Sequence, residues 1–379
     1  MKKLKSVLKK MVLTVVAILV VLVLVGVLFV NLSPEFGGSP TKAQKERFKK
    51  SDNFKDGVFV NLGDVKMKMG FDAYLKGIKG YFSPQPNAIP SKNVSVSKID
   101  SLEVARYTGA ARLVWFGHST FLLQLQGKNI LLDPMLGSVP APNPMLGGKR
   151  FSENLPIDIE RLPEIDAVIF SHDHYDHLDY GSVQLLKNRV KMFYTPLGVG
   201  AHLMEWGVKE NRIVELDWWD EVQFDDIRLK CTPAQHFSGR GLSDRGKTLW
   251  SGWVIQSDSS NIFFSGDSGY GSHFKEIGEK YGPFDFAMLE CGQYNELWKE
   301  IHMMPEQTAQ AGLDVRANKI MPIHWGAFKL AMHPWTEPVQ RVFKKAKELG
   351  VPVTTPRIGE IFYLDSTAIS NEEWWKDFN

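Results

Sequence analysis

The sequence predicts an α/β protein in which one domain, from about Ala111 to the C-terminus, follows a single membrane-spanning helix. Three observations lead there: short β-type runs interleaved with helical stretches, an uninterrupted apolar segment near the N-terminus, and a composition suited to a packed core. Hydrophobic residues make up 44% of the 379, so a large core can form and disorder is not the default state.

The β-type runs include RLVWFG, TFLLQLQ, NILLDP, DAVIFS, VKMFYTP, RLKCTPAQ, SGWVIQS, NIFFSGD, FDFAMLEC and KIMPIHW, each closed by a polar or glycine-rich turn. Helical stretches such as 305–315 and 337–349 fall between some of them. The N-terminal segment begins with a basic run over residues 1–10, taken as cytoplasmic, followed by the uncharged stretch Met11 to Val30. As a helix those residues span roughly 30 Å, the thickness of a bilayer's hydrocarbon core. The stretch exceeds the apolar core of about 7–15 residues of a cleaved signal peptide, and no small-x-small site follows it. A retained signal anchor at 11–30 is therefore expected, giving a single-pass cell-membrane protein with its main domain outside the cytoplasm.

Residues 31–110 read as a linker and peripheral segment, and 111–379 as the main domain, which also carries the chemistry described below. Lys42, Lys45, Arg47, Lys49 and Lys50 would lie just outside the membrane, facing lipid headgroups or simply solvated. The stretch Val65 to Phe82 has helical spacing of Phe71, Tyr74, Leu75 and Ile78, fitting an amphipathic helix packed on the core or one lying at the interface. The pair Trp374 and Trp375 fits either core packing or a bilayer surface.

Forty-five Lys and Arg balance forty-three Asp and Glu, so no whole-chain field points to nucleic acid. Cys231 and Cys291 form no Cys-x-x-Cys, which excludes a thiolate zinc finger and favours two core residues over a disulfide.

The chemistry concentrates in SHDHYDHLD, Ser171 to Asp179, directly after the run DAVIF. His172 and His174 are two apart and can point the same way from an extended loop, whereas Asp176 and His177 come a turn later and can face a neighbouring ion. His236, Asp267 and His324 each lie just past another β-run. Imidazole and carboxylate donors without thiolate suit zinc best, with iron or manganese as alternatives. Two ions bridged by Asp267 would turn a water into hydroxide near neutral pH, so no serine or cysteine nucleophile is required. His118, in GHST, either lines the cavity, orients a ligand, or packs as a buried histidine.

With these motifs the chain resembles the metallo-β-lactamase superfamily and, within it, the N-acyl-phosphatidylethanolamine-hydrolysing phospholipase D family. WFGHST, NILLDP, HDHYDHLDYGSV, RIVELDWWDEV, CTPAQHF, LWSGWV, FFSGDSGY, EIGEKYGPFD and IHWGAFKLA carry the resemblance, which runs from SPEFGG near Ser33 to about Gly359. It implies an αββα sandwich with a dinuclear site at one edge of two sheets. His172, His174 and His236 match the ligands of one zinc, Asp176, His177 and His324 those of the other, and Asp267 the bridge. Tyr175 and His302 match substrate contacts, His302 on the phosphate, so Asp176, Asp267 and His302 are the residues expected at the reacting centre. The stretch between Cys291 and His302 departs most from the family pattern.

The expected reaction is hydrolysis of N-acyl-phosphatidylethanolamine, a membrane phospholipid, to N-acylethanolamine and phosphatidic acid by a metal-bridging hydroxide. The alternatives are a lactone, ester or amide hydrolase with the same metals, and a non-catalytic, metal-stabilised lipid-binding protein of the envelope. A homodimer is implied by the resemblance alone, and a nucleic-acid partner is not expected.

Overall fold

The computed structural model describes residues 2–63, 65, 75, 77, 79, 80, 83, 85–365 and 372–379. The amphipathic stretch Val65 to Phe82 lies largely outside the described residues.

Helix α1 (Lys2–Leu32) is a single continuous run that passes through the lysines and the whole apolar segment. It is the one helix among the described residues long and apolar enough to cross a membrane. A short helix α2 (Lys42–Phe48) follows, started by a reciprocal capping box between Thr41 and Gln44. The segment read as a linker is packed rather than loose: Phe48, Phe59 and Val94 are buried within the main core. A small hairpin pairs β1 (Phe54–Lys55) with β2 (Val58–Phe59).

Two larger sheets form the domain. The first holds β3 (Arg112–Trp115), β4 (Phe121–Leu125), β5 (Lys128–Leu132), β6 (Ile165–Ile169), β7 (Val190–Pro196) and β8 (Ile213–Leu216) in sequence order. The second runs through β9 (Glu221–Phe224), β10 (Ile227–Thr232), β11 (Gly252–Gln256), β12 (Asn261–Phe264), β13 (Phe286–Glu290) and β14 (Ile320–Ile323). The chain then returns to the first sheet as β15 (Ile361–Tyr363), antiparallel to β3. Strands β5 to β8 and β12 to β14 are parallel, and the remaining pairings of the two sheets are antiparallel.

The near-continuous hydrophobicity of the strands follows from burial on both faces. Phe121 and Leu123 of β4, Ile130 and Leu132 of β5, and Ala167 and Ile169 of β6 join the core between the sheets. Their neighbours Leu122, Leu131 and Val168 pack instead with Val183, Leu186 and Leu203 of helices 180–186 and 200–205. A one-residue slip of register would exchange the two sets. Helices 305–314 and 337–349 cover the other sheet, contributing Ala309, Ala311, Val339 and Val342. The result is the helix–sheet–sheet–helix sandwich. Trp374 and Trp375 are core residues, 2% and 0% exposed, set against Trp325 at 5.6 Å between ring centroids. Cys231 and Cys291 are both free and buried.

Candidate metal centre and its pocket

The site sits at the carboxyl ends of four strands. His172 follows β6, His236 follows β10, Asp267 follows β12 and His324 follows β14 directly. Two clusters result. The first comprises His172, His174 and His236, and the second Asp176, His177, His324 and also His118.

Asp267 stands between them. Its Oδ2 is 3.8 Å from both His172 Nε2 and His236 Nε2, while its Oδ1 is 3.2 Å from His177 Nε2 and 3.0 Å from His324 Nδ1. One carboxylate thus turns one oxygen to each cluster.

Hydrogen bonds behind the site fix which ring nitrogens face it. Asp133, just after β5, accepts from the Ser171 amide at 2.7 Å and from the Ser171 hydroxyl at 2.5 Å, and pairs with His177 Nδ1 at 2.7 Å. The Ser171 hydroxyl, its proton given to Asp133, accepts from His172 Nδ1 at 2.9 Å. His236 Nδ1 donates to the Ile301 carbonyl at 2.9 Å. The three Nε2 atoms are left to the site, the usual way an outer partner sets the tautomer of a ligand histidine.

These donors fit a metal ion. His172 Nε2 and His236 Nε2 approach His174 Nδ1 to 2.9 and 3.1 Å. Donors at about 2.0–2.1 Å from a tetrahedral ion would be roughly 3.3 Å apart, close to this spacing. His177 Nε2 and Asp267 Oδ1 are buried with no hydrogen-bond partner among the described residues. Burial lowers the proton affinity of His172, His174, His236 and His324, keeping them neutral and able to ligate. His177 differs: burial disfavours its charge, but Asp267, Asp176 and Asp133 outweigh it and raise its pKa well above the usual value. Burial likewise opposes ionisation of Asp267 and Asp176, yet their imidazole neighbours, His177 foremost, hold both carboxyls well below their ordinary range. The carboxylates therefore call for positive charge at the place where cations would bind.

The predicted ligands His172, His174, Asp176, His177, His236, Asp267 and His324 all converge here. His118 is fully buried, in left-handed backbone geometry at φ 56°, with Nε2 2.8 Å from Asp176 Oδ2. It orients a ligand and is itself close enough to join the second cluster. His302 lines the pocket and shares a hydrogen bond of 3.2 Å from Nδ1 to buried Glu290. Burial pushes the Glu290 carboxyl up to about 7, with His302 partly offsetting the shift.

Tyr175 sits in the same loop but outside the lining of the pocket described below: its hydroxyl donates to the Arg240 carbonyl at 2.6 Å, and its ring meets Phe36 edge-on at 6.3 Å.

Over the candidate metal ligands opens a pocket of about 420 Å³. Phe237, Trp298, Ile301 and Leu330 form its apolar wall, and Arg245 and Gln293 add polar groups. None of these wall residues, nor Asp133 or Glu290, stood out in the sequence as part of the site. Three of them, Gln293, Trp298 and Ile301, fall between Cys291 and His302, where the sequence departs from the family pattern.

The metal loop is also braced from behind. Arg240 donates from Nη1 to the carbonyls of Asp173 and Leu178, at 2.5 and 2.8 Å, and from Nε and Nη2 to that of Glu35, at 2.8 and 2.6 Å. Trp206 Nε1 donates to Pro34 O at 2.7 Å. Gly37, at φ 74°, lies so near His202 that a Cβ would come within 2.1 Å of Nδ1. The six residues SPEFGG thus seat the end of α1 on the loop that carries the ligands.

Comparison with known proteins agrees with this geometry. A family model described as a beta-lactamase superfamily domain matches residues 128–325. An uncharacterised protein of Mycobacterium tuberculosis is 40% identical over 337 residues, covering 86% of this chain and 88% of that one. N-acyl-phosphatidylethanolamine-hydrolyzing phospholipase D 1 of Caenorhabditis elegans is 36% identical over 229 residues, 57% of this chain and 64% of its own. Among solved structures, the metallo hydrolase Igni18 of Ignicoccus hospitalis superposes with a TM-score of 0.52 at 22% identity, over 67% of this chain and 97% of its own, a likeness of fold. By its sheets, its ligand set and these relatives, the chain belongs to the metallo-β-lactamase superfamily and is a metal-dependent hydrolase.

Proposed function

We propose that this hydrolase is a phospholipase D-type phosphodiesterase that cleaves N-acyl-phosphatidylethanolamine, using two zinc ions, from a position anchored in the cell membrane. The observation that carries the reading is the pocket: an apolar wall with Arg245 and His302 placed beside the metal ligands suits an amphiphile with an anionic phosphate at its centre. The similarity to the nematode phospholipase supports the choice of lipid.

His172, His174 and His236 would hold one ion, Asp176, His177 and His324 the other, with Asp267 between. Such ions supply Lewis acidity toward the phosphoryl oxygens and acidify water. The remaining work falls to the chain. His302, oriented through Nδ1 by Glu290, offers its other nitrogen to a phosphate oxygen, and Phe237, Trp298 and Leu330 exclude bulk water and hold the acyl portion. Water adds across the bond between phosphorus and the ethanolamine oxygen; its hydroxyl goes to phosphorus and its proton to the departing N-acylethanolamine. α1 spans the bilayer with the catalytic domain on the extracytoplasmic side.

The test is to incubate the purified full chain with N-acyl-phosphatidylethanolamine, with and without chelator, and identify products by mass spectrometry alongside metal analysis. Chelator-sensitive release of N-acylethanolamine and phosphatidic acid is expected. Turnover of lactones or esters, with the phospholipid untouched, would sink the phosphodiesterase reading.

A further inference from the structure

A second cavity, of about 600 Å³, lies between the end of α1 and the back of the metal loop. Its lining joins two chemistries. Val30, Phe36 and Phe48 make it apolar, and Lys45, Lys49 and Lys247 make it basic, with Lys49 also paired to Glu46 at 2.7 Å and Lys247 donating to the Gly57 carbonyl at 2.9 Å. Two carboxylates also face it, but both are engaged. Asp173 accepts from the Gly239 amide at 2.9 Å and the Thr248 hydroxyl at 2.8 Å, and Asp244 from the amides of Arg240 and Gly241 at 2.9 and 2.8 Å. His202, 4% exposed, also lines the cavity, and its Nδ1 is buried with no hydrogen-bond partner among the described residues.

The position of the cavity identifies its occupant. On the reading that α1 is a membrane anchor, the apolar run ends at Val30, so headgroups begin at this depth. A bilayer lipid beside α1 would bring its phosphate to the lysines while its glycerol and first methylenes meet the two phenylalanines and Val30. The volume lies in the range of small-ligand sites.

We infer that this cavity binds the headgroup of an anionic phospholipid from the bilayer that holds α1, separately from the catalytic pocket. One loop divides the two: Phe237 and Arg245 face the catalytic pocket, and Lys247 and Thr248 the headgroup cavity. An occupied cavity therefore braces a wall of the active site from its far side. The inference rests on the membrane reading of α1 but not on the choice of substrate.

The experiment titrates the full chain in neutral detergent with dihexanoyl phosphatidylglycerol, dihexanoyl phosphatidylcholine and inorganic phosphate by calorimetry. The Lys45→Gln/Lys49→Gln/Lys247→Gln variant is titrated in parallel, and hydrolysis of a soluble phosphodiester is followed in both. Phosphatidylglycerol should bind the native chain at least tenfold more tightly than the other two probes. The triple variant should lose that preference while its soluble-diester turnover stays within twofold. Equal phosphatidylglycerol affinity in the variant, or phosphate binding as tightly as the lipid, overturns the inference. If the triple variant does not fold, Lys45→Glu alone, at an exposed position, should weaken lipid binding at least threefold, and unchanged affinity has the same overturning force. Cell fractionation reads the anchor separately: chain found in the soluble fraction removes the bilayer as the source of the ligand. Absence of diester hydrolysis counts against the proposed function while leaving the lipid titration intact.

Discussion

His118 Nε2 lies 2.8 Å from Asp176 Oδ2, joining a glycine-histidine turn after β3 to the metal loop after β6. Partners of this kind typically change metal affinity by about 10–100-fold. His118→Asn should lower affinity by that amount with the domain still folded, as read by chelator competition and circular dichroism. Unchanged affinity would reduce His118 to a packing residue.

Gly292 follows β13 and lies against the strand end that presents His324. A Cβ at this position would fall 1.8 Å from the His324 carbonyl, so backbone must move to admit it. Gly292→Ala is expected to cost about 2–4 kcal/mol and to displace His324. Urea unfolding measures the first and bound metal per chain the second. A near-neutral result would mean that the loop relaxes freely.

Arg240, 3% exposed, holds the carbonyls of Asp173, Leu178 and Glu35 together. Arg240→Met keeps an apolar stem but leaves those carbonyls without the guanidinium, at about 3–5 kcal/mol. Metal retention should weaken too, because both carbonyls of the ligand loop lose their tie. Arg240→Lys should recover little, since one ammonium cannot replace the planar fork. Full recovery by lysine would show that charge alone matters.

Glu215 provides a pH prediction away from the metals. Burial raises its carboxyl pKa, despite Arg47 nearby and the Gly198 and Gly200 amides that it accepts from at 2.9 and 3.0 Å. The folded chain thus holds this proton more tightly than the unfolded chain. Its stabilising contribution is complete below the unfolded pKa and is lost as pH rises through the folded one. Glu215→Gln cannot ionise, so its stability relative to the native chain should improve between pH 4 and pH 7. Unfolding curves at the two pH values test this, and a constant difference would contradict the shift.

The candidate metal ligands are legible in the sequence because metal chemistry leaves a local signature. Four donors stand within six positions, and the other three lie just past apolar runs. Their supports carry no such mark. Asp133 meets Ser171 across 38 positions and Arg240 meets Asp173 across 67, contacts made only when the sheets pack. Tyr175 shows the converse: its position in the motif is plain, but its side-chain partners, Arg240 and Phe36, arrive from elsewhere in the chain. The residues after α1 looked like a linker because their polar content hides how deeply Phe48 is buried, at 1% exposure.

The seating of SPEFGG on Trp206, Arg240 and His202 bears on how the enzyme meets its substrate. A tethered catalyst on a slack leash tumbles, and only a fraction of its collisions with a surface present the active face. A joint bonded at consecutive carbonyls permits no such tumbling. With α1 in a bilayer, the pocket would keep one attitude toward the lipid plane, and if the proposed phospholipid is the substrate, the search for it would reduce to lateral diffusion.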